Sequence, residues 1–394
     1  MTTSAGDDLA VRVRRRLTGS AAPVTRAAVV TAVRAETHAA ALGDAEVLRV
    51  ADGVHGELVG AGALAPLLAD PAVTDVLVNG TEVWADRGSG LVCTGIVFDD
   101  AEQVRVLAQR LAAASGRRLD DGSPYADARL PDGTRVHAVL PPVAVTGPYL
   151  SLRTFRARPF TLTDLRACGT VDAVAAEVLH AVVRARLAYL VVGGTGTGKT
   201  TLLATLLGLV PGDERIVVVE DAAELHPVHP HVVTLQTRPA NVEGAGAVSL
   251  RDLVRQALRM RPDRLVVGEC RGGEVVEMLG ALNTGHDGGA ATLHANTAAD
   301  VPARLAALGT LGGLAPTALH TQAAAAIQVV VELRRTGRGR CVESIGVLSG
   351  DGARGTVVRT AWHRRSGAGA AATALTGLLR ARGVEAPGGL VDPR

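Results

Sequence analysis

The segment Gly193-Gly194-Thr195-Gly196-Thr197-Gly198-Lys199-Thr200 satisfies the spacing G-x-x-x-x-G-K-[ST] and lies between an apolar run and a helix-like run opening Thr201-Leu-Leu. Glycines at this spacing let consecutive backbone N–H groups curl around phosphate oxygens, and a helix start adds positive potential. In such a loop the lysine reaches the β- and γ-phosphates and the following hydroxyl, here Thr200, ligates Mg²⁺. Lys199 is also the sole lysine of the chain, against 40 arginines. A compact ammonium and a planar guanidinium are not interchangeable in a tight phosphate loop, so this distribution marks the loop as the place where an ammonium is required.

Two acidic clusters follow apolar, strand-like runs. One is Glu220-Asp221-Ala-Ala-Glu224 after Arg215–Val219, the other Glu269-Cys-Arg271-Gly-Gly-Glu274 after Arg264–Val267. In an open parallel sheet ligands bind at the carboxyl ends of the strands, so both clusters should converge on the loop. Hydrolysis needs one carboxylate to orient or deprotonate water and another to hold Mg²⁺ through its water shell. The segment from Thr284 to Asn296 adds His286 in a glycine-rich turn and His294 at a strand end, where a γ-phosphate sensor would be useful. Zinc is a weaker reading of these histidines, since only Asp287 joins them. His226, His229 and His231, interleaved with Pro227 and Pro230, read as solvated loop histidines rather than a metal cluster.

Strands and helices must hold these residues in place. From about residue 158 the pattern alternates strand and helix in the manner of a parallel α/β sheet. Helices are expected over Val171–Arg184, Lys199–Leu207, Ser249–Met260, Gly273–Leu282 and Ala298–Leu308, and strands over Ala188–Val192, Arg215–Val219, Arg264–Val267 and Ala290–Leu293. Ser249 and Asp252 form a capping-box variant, and Arg251, Arg255 and Arg259 make a stripe that reads as a solvated face, with a subunit contact as the alternative. Hairpin-like strands run on to about Trp362. Upstream, residues 1–20 read as a flexible polar tail, 21–60 as a helical segment, and 61–157 as a small α/β domain with a helix over Ala101–Ala114 and a hairpin turning at Pro131-Asp-Gly133. Residues 158–362 form the larger α/β domain, and 363–394 read as a poorly ordered Gly/Ala-rich tail.

Composition narrows the function. A formal net charge of +2 and 2% aromatic residues argue against a nucleic-acid coat and against base-stacking platforms. There is no secretory signal in the first residues and no run of about 18 apolar residues, and the four cysteines form no C-x-x-C pair. A cytoplasmic protein is expected.

The phosphate loop, the Glu-Asp-Ala-Ala-Glu-Leu run, Leu-Arg-Met-Arg-Pro-Asp-Arg followed by Val-Val-Gly-Glu-Cys-Arg-Gly, and the Thr-Gly-His-Asp-Gly and Thr-Leu-His-Ala-Asn segments together resemble the type II/IV secretion ATPase superfamily. The likeness runs from about Ala63 to Leu333 and is strongest to the ATPases of tight-adherence (Tad/Flp) pilus systems. It implies an α/β fold with a RecA-like C-terminal domain over 158–362, ATP and Mg²⁺ as cofactors, and a homo-hexamer. It also implies docking at the inner face of the cell membrane on integral-membrane platform proteins, with pilin or protein cargo moved indirectly. By the same resemblance Gly193, Gly194, Thr195, Gly196, Thr197, Gly198, Lys199, Thr200 and Thr201 hold the nucleotide, and Glu224 is the general base. Glu220 and Asp221 belong to the metal side, Glu269 acts on Mg²⁺ through water, and His286 and His294 form the His box. Arg271 joins the nucleotide-binding candidates, as do Arg129, Arg135, Arg153 and Arg156 of the small domain, without a decision as to which reaches phosphate. A DNA-translocating motor of a conjugation system and a nucleotide-gated regulator are the alternatives.

Overall fold

The computed structural model describes residues 5–18, 25–36, 43–58, 60–88, 90–154, 159–238, 240, 245–337, 339–352 and 355–390. The chain divides into two compact units, Met1–Ala157 and Arg158–Arg394.

In the first unit, helices α1 (Ala5–Thr18), α2 (Arg26–Ala35) and α3 (Asp44–Leu58) pack together. Leu9, Val13 and Leu17 of α1 fall on one stripe and meet Val29 and Val33 of α2 and Val47, Ala51 and Val54 of α3. The expected flexible tail over residues 1–20 is corrected for residues 5–18, the rest of that stretch lying outside the described residues: an apolar residue every fourth position is enough for a helix with a buried side, even among arginines. Beyond α4 (Ala65–Ala69) come β1 (Asp75–Asn79), β2 (Glu82–Asp86), β3 (Leu91–Val97), α5 (Ala101–Ala114), β4 (Tyr125–Arg129), β5 (Arg135–Val139) and β6 (Tyr149–Arg153). The strands form an antiparallel sheet in the order β3-β2-β1-β6-β5-β4. Alternate residues such as Val76, Val78, Val136, Leu150 and Leu152 join Val104, Leu107 and Leu111 of α5 in one core. The β4–β5 turn holds as the dipeptide Asp132-Gly133 requires: Asp132 accepts the Thr134 N–H at 2.9 Å and Gly133 takes φ 91°.

The second unit contains α6 (Leu162–Ala167), α7 (Ala173–Arg184), β7 (Tyr189–Val192), α8 (Lys199–Leu207), β8 (Ile216–Glu220), β9 (Val232–Gln236), α9 (Leu250–Ala257), β10 (Arg264–Cys270), α10 (Val275–Leu282), β11 (Ala290–Leu293), α11 (Val301–Leu311), α12 (Pro316–Ala326), β12 (Val329–Thr336), β13 (Gly339–Gly350), β14 (Thr356–His363), β15 (Gly367–Ala368) and α13 (Ala372–Ala381). Its nine-stranded sheet runs β15-β14-β13-β12-β7-β11-β10-β8-β9, parallel from β12 to β9 and antiparallel beyond. The central parallel strands are buried on both sides, which is why β7 and β8 read as largely Val/Leu/Ile and β11 as small, mostly apolar residues. Residues of α7, α8 and α13 share one core and those of α9, α10, α11 and α12 the other.

The capping box of α9 forms as its sequence requires, Ser249 and Asp252 exchanging bonds with each other's N–H groups. On its polar side Arg251 and Arg255 both reach Glu277 of α10, at 2.5 and 2.9 Å. The expected tail over 363–394 is the second correction. Residues 372–381 are a helix whose Leu375 and Leu379 are buried together with Leu390. Each buried leucine contributes about 2 kcal/mol. The Gly/Ala-rich composition hid this spacing.

Candidate active site

The loop joins the carboxyl end of β7 to α8. Gly196 and Gly198 take φ 71° and 96°, the left-handed region open to glycine. Gly193, at φ 152°, is required by a close approach as well: a Cβ there would lie 2.4 Å from the Leu333 carbonyl oxygen and 2.8 Å from Thr197 Oγ1. Thr197 Oγ1 donates to the Gly194 carbonyl at 2.9 Å and so closes the loop on itself. Lys199 opens α8, is 8% exposed, and donates from Nζ to the Gly193 and Gly194 carbonyls at 3.0 and 2.9 Å. Burial pushes its pKa below the ordinary lysine value, and Glu269 partly offsets this. Thr200 and Thr201 follow in the first turn of α8.

Glu269 lies near the end of β10, and His294 directly follows β11. Parallel pairing of these two strands, with a register shift between Val267 and Cys270, brings both side chains beside Lys199. His294 Nε2 is 3.0 Å from Glu269 Oε1 and 3.5 Å from Lys199 Nζ. Burial first, and then the Lys199 charge, lower the His294 pKa, so the imidazole is neutral at pH 7. Arg271 Nη2 donates to Glu269 Oε2 at 2.6 Å. That bond raises the arginine's pKa, and the charges of Asp221 and Glu224 add to it. Glu269 Oε1 is buried and takes no aligned hydrogen bond among the described residues, the His294 contact being one of proximity only.

Two further expected site residues make other contacts. Glu220 is 4% exposed and accepts the backbone N–H groups of Glu224 and Leu225, both at 3.1 Å. Its side chain crosses Gly268, where a Cβ would lie 2.5 Å from Glu220 Cγ. Its carboxylate accepts these two N–H groups from the turn that carries Asp221 and Glu224. His286 lies ahead of β11, at the opposite end of that strand from His294, with Nδ1 3.2 Å from the Ala281 carbonyl. Four residues of strand alone separate the two ends by about 13 Å. Of the two histidines expected as candidates for a phosphate sensor, only His294 is brought beside Lys199. His226, His229 and His231 contact the Glu224 carbonyl, the Pro211 carbonyl and Arg215, and among the described residues no cluster of three metal-ligating side chains occurs.

In the first unit Arg129, Arg135 and Arg153 are register partners on three adjacent strands and share the sheet face that α5 does not cover. Arg153 Nε bonds Asp75 Oδ1 at 3.0 Å. Arg156 lies outside the described residues. Two residues that sequence reasoning missed, Arg335 and Arg340, stand over the phosphate loop from the β12–β13 hairpin, Arg340 Nε donating to the Gly196 carbonyl at 2.8 Å. Nothing in a chain this rich in arginine singles them out.

With this geometry in view, the family model described as "Type II/IV secretion system protein" matches residues 57–377. The chain belongs to that family. A "Putative conjugal transfer protein" of Mycobacterium tuberculosis is 55% identical over 350 residues, covering 86% of this chain and 99% of the relative. The conjugal transfer protein TrbB of Rhizobium radiobacter is 31% identical over 290 residues, with 72% and 86% covered. Among solved structures, the ATPase DotB of Legionella pneumophila matches with a TM-score of 0.52 at 20% identity, covering 71% of this chain and 78% of that one, a likeness that speaks to the fold. As a type II/IV secretion ATPase, the chain is an ATP hydrolase with a RecA-like domain, and nucleotide binding follows. The residues present fit ATP with Mg²⁺. The loop is shaped by glycines whose Cβ atoms would be strained or would collide, Lys199 stands within it, and Glu269 Oε1 is a buried carboxylate oxygen without an aligned donor. No helix among the described residues is long and apolar enough to cross a membrane.

Proposed function

We propose that this secretion ATPase is a Mg²⁺-dependent, hexameric motor that docks at the inner face of the cell membrane on integral-membrane platform proteins. There it powers pilus assembly, of the tight-adherence kind, or protein secretion. The observation that carries the reading is the convergence of Lys199, Glu269, Arg271 and His294 on one glycine loop at the carboxyl ends of parallel strands.

In this reading residues 193–201 bind the phosphates, with Lys199 Nζ turning from the loop carbonyls to phosphate oxygens. Bound Mg²⁺ supplies charge neutralisation on the phosphates. Thr200 Oγ1 and Glu269, the latter through water, hold the metal side, and Asp221 contributes charge there. A carboxylate oxygen of Glu224 orients the attacking water and takes its proton. Neutral His294 reads the terminal phosphate through Nε2, and Arg271 steadies Glu269. Residues 61–157 supply Arg129, Arg135, Arg153 or Arg156 to a nucleotide held between subunits of the ring, so that hydrolysis becomes domain movement.

Glu224→Gln should bind a fluorescent ATP analogue with unchanged affinity and lose steady-state turnover. Turnover within twofold of wild type would remove Glu224 from the base role. A second reading, a DNA-translocating motor, is favoured by the description of two relatives as conjugal transfer proteins. Low net charge and few aromatic residues weigh against it. Hydrolysis stimulated severalfold by single-stranded DNA, and lost steeply with added salt, would decide for it.

A further inference from the structure

The hairpin of β12 and β13 sets Arg335 directly opposite Arg340. Two guanidinium groups in cross-strand register repel each other, a cost that an anion between them would offset. Arg334, one residue away, lies 4.0 Å from Glu332 and 3.7 Å from Glu343. Among the described residues, Arg335 and Arg340 have no such carboxylate at ion-pair distance. What they face is the phosphate loop. Arg340 Nε donates to the Gly196 carbonyl at 2.8 Å, and its Cδ lies 3.4 Å from the place a Cβ would take on Gly198. Arg335 Nη1 is 3.8 Å from the corresponding place on Gly196. At the root of the hairpin the Leu333 carbonyl is the atom that makes a side chain at position 193 impossible. The hairpin thus touches the loop at its first, middle and last motif glycines.

We propose that Arg335 and Arg340 form a second cationic wall of the phosphate site, supplied by the same subunit, that binds the phosphate oxygens of a nucleoside polyphosphate in addition to Lys199. This rests on the ATPase reading of the loop. An anion between the two guanidiniums relieves their repulsion. Arg340 exchanges a neutral carbonyl acceptor for an oxyanion, which adds full charge–charge attraction to the bond its guanidinium already donates. The planar fork also suits phosphate oxygens, which gives these two positions a reason to be arginine where the loop itself requires lysine.

The test uses the full chain, titrated with a fluorescent ATP analogue and, in competition, with inorganic tripolyphosphate. Arg335→Gln/Arg340→Gln should weaken both ligands by about 10- to 100-fold. Arg340→Lys, which keeps the charge, should recover part of that loss, whereas Arg340→Gln should not. Without ligand the double variant should melt no lower than wild type, because a like-charge pair has been removed, while the rise in melting temperature on adding the analogue shrinks. Should the double variant fail to fold, Arg335→Gln alone decides, with a loss of about fivefold expected from an exposed residue. Binding of both ligands within twofold of wild type would overturn the proposal. Lys199→Ala separates the two levels: if it too keeps nucleotide affinity, the reading of the loop falls, and if it loses affinity while the hairpin variants keep theirs, only the hairpin inference falls.

Discussion

The two ends of the parallel sheet carry the same kinds of residues and use them in opposite ways. At the amino ends, Arg264 is 1% exposed, and each of its three guanidinium nitrogens has a partner. Nε bonds Glu214 at 2.5 Å, Nη2 the Val183 carbonyl at 3.0 Å, and Nη1 the Gly288 carbonyl at 3.3 Å. Arg186 adds a second cation 3.4 Å from Glu214, and Arg382 holds Asp287 at 2.9 Å. At the carboxyl ends, Lys199, His294 and Glu269 crowd together, burial lowers the pKa of both bases, and one Glu269 oxygen has no aligned donor. Charges that cancel in place lock a fold, whereas charges whose partners are only loop carbonyls, or are missing, are poised for a ligand.

The largest effect expected on that contrast comes from Lys199. Lys199→Ala and Lys199→Arg should each lower ATP turnover by about 10²- to 10³-fold with little change in chemical denaturation. Normal turnover by the charge-conserving Arg variant would mean that the sole lysine of the chain is incidental. The mirror experiment is Arg264→Met, which leaves Glu214 without its main partner. It should cost about 3–5 kcal/mol of stability in urea, and the molecules still folded should keep their turnover. If it instead lost turnover at full stability, the division between the two ends would fail.

A smaller difference separates the histidines at the two ends of β11. His294→Gln should reduce turnover by about 10-fold, the worth of one hydrogen bond to a charged group, and His286→Gln should stay within twofold. Equal losses would argue for a shared site that the strand geometry opposes. Acidity gives the smallest effect. A histidine whose pKa is lowered on folding takes up its proton more readily in the unfolded chain, so the native state loses stability as pH falls below the unfolded value, about 6.5. His294→Gln should flatten that part of the stability profile, and an unchanged profile would assign it to other groups.

Much of the second unit was legible because its elements are locally specified. The bounds of α8 and β11 agree with expectation to the residue, since a glycine ends the loop at 198 and the buried Ala-Ala-Thr-Leu of β11 follows Gly288-Gly289. The helices α1 and α13 were not legible. Their apolar residues are sparse within arginine- or alanine-rich stretches, and only burial against partners distant in sequence shows the spacing to be a helix face.

For the site, sequence alone determined the loop and its lysine, because a phosphate cradle is made by consecutive backbone groups and needs no distant residue to define it. It also marked Glu269 and His294 as residues at strand ends. Only the tertiary structure decided that His294 and Glu269 meet beside Lys199, that Glu220 accepts bonds from the turn beside it, and that two arginines some 140 residues beyond the loop stand over it. The reason is that register between parallel strands and the path of a returning hairpin are set by packing across the sheet, which no local pattern of residues records.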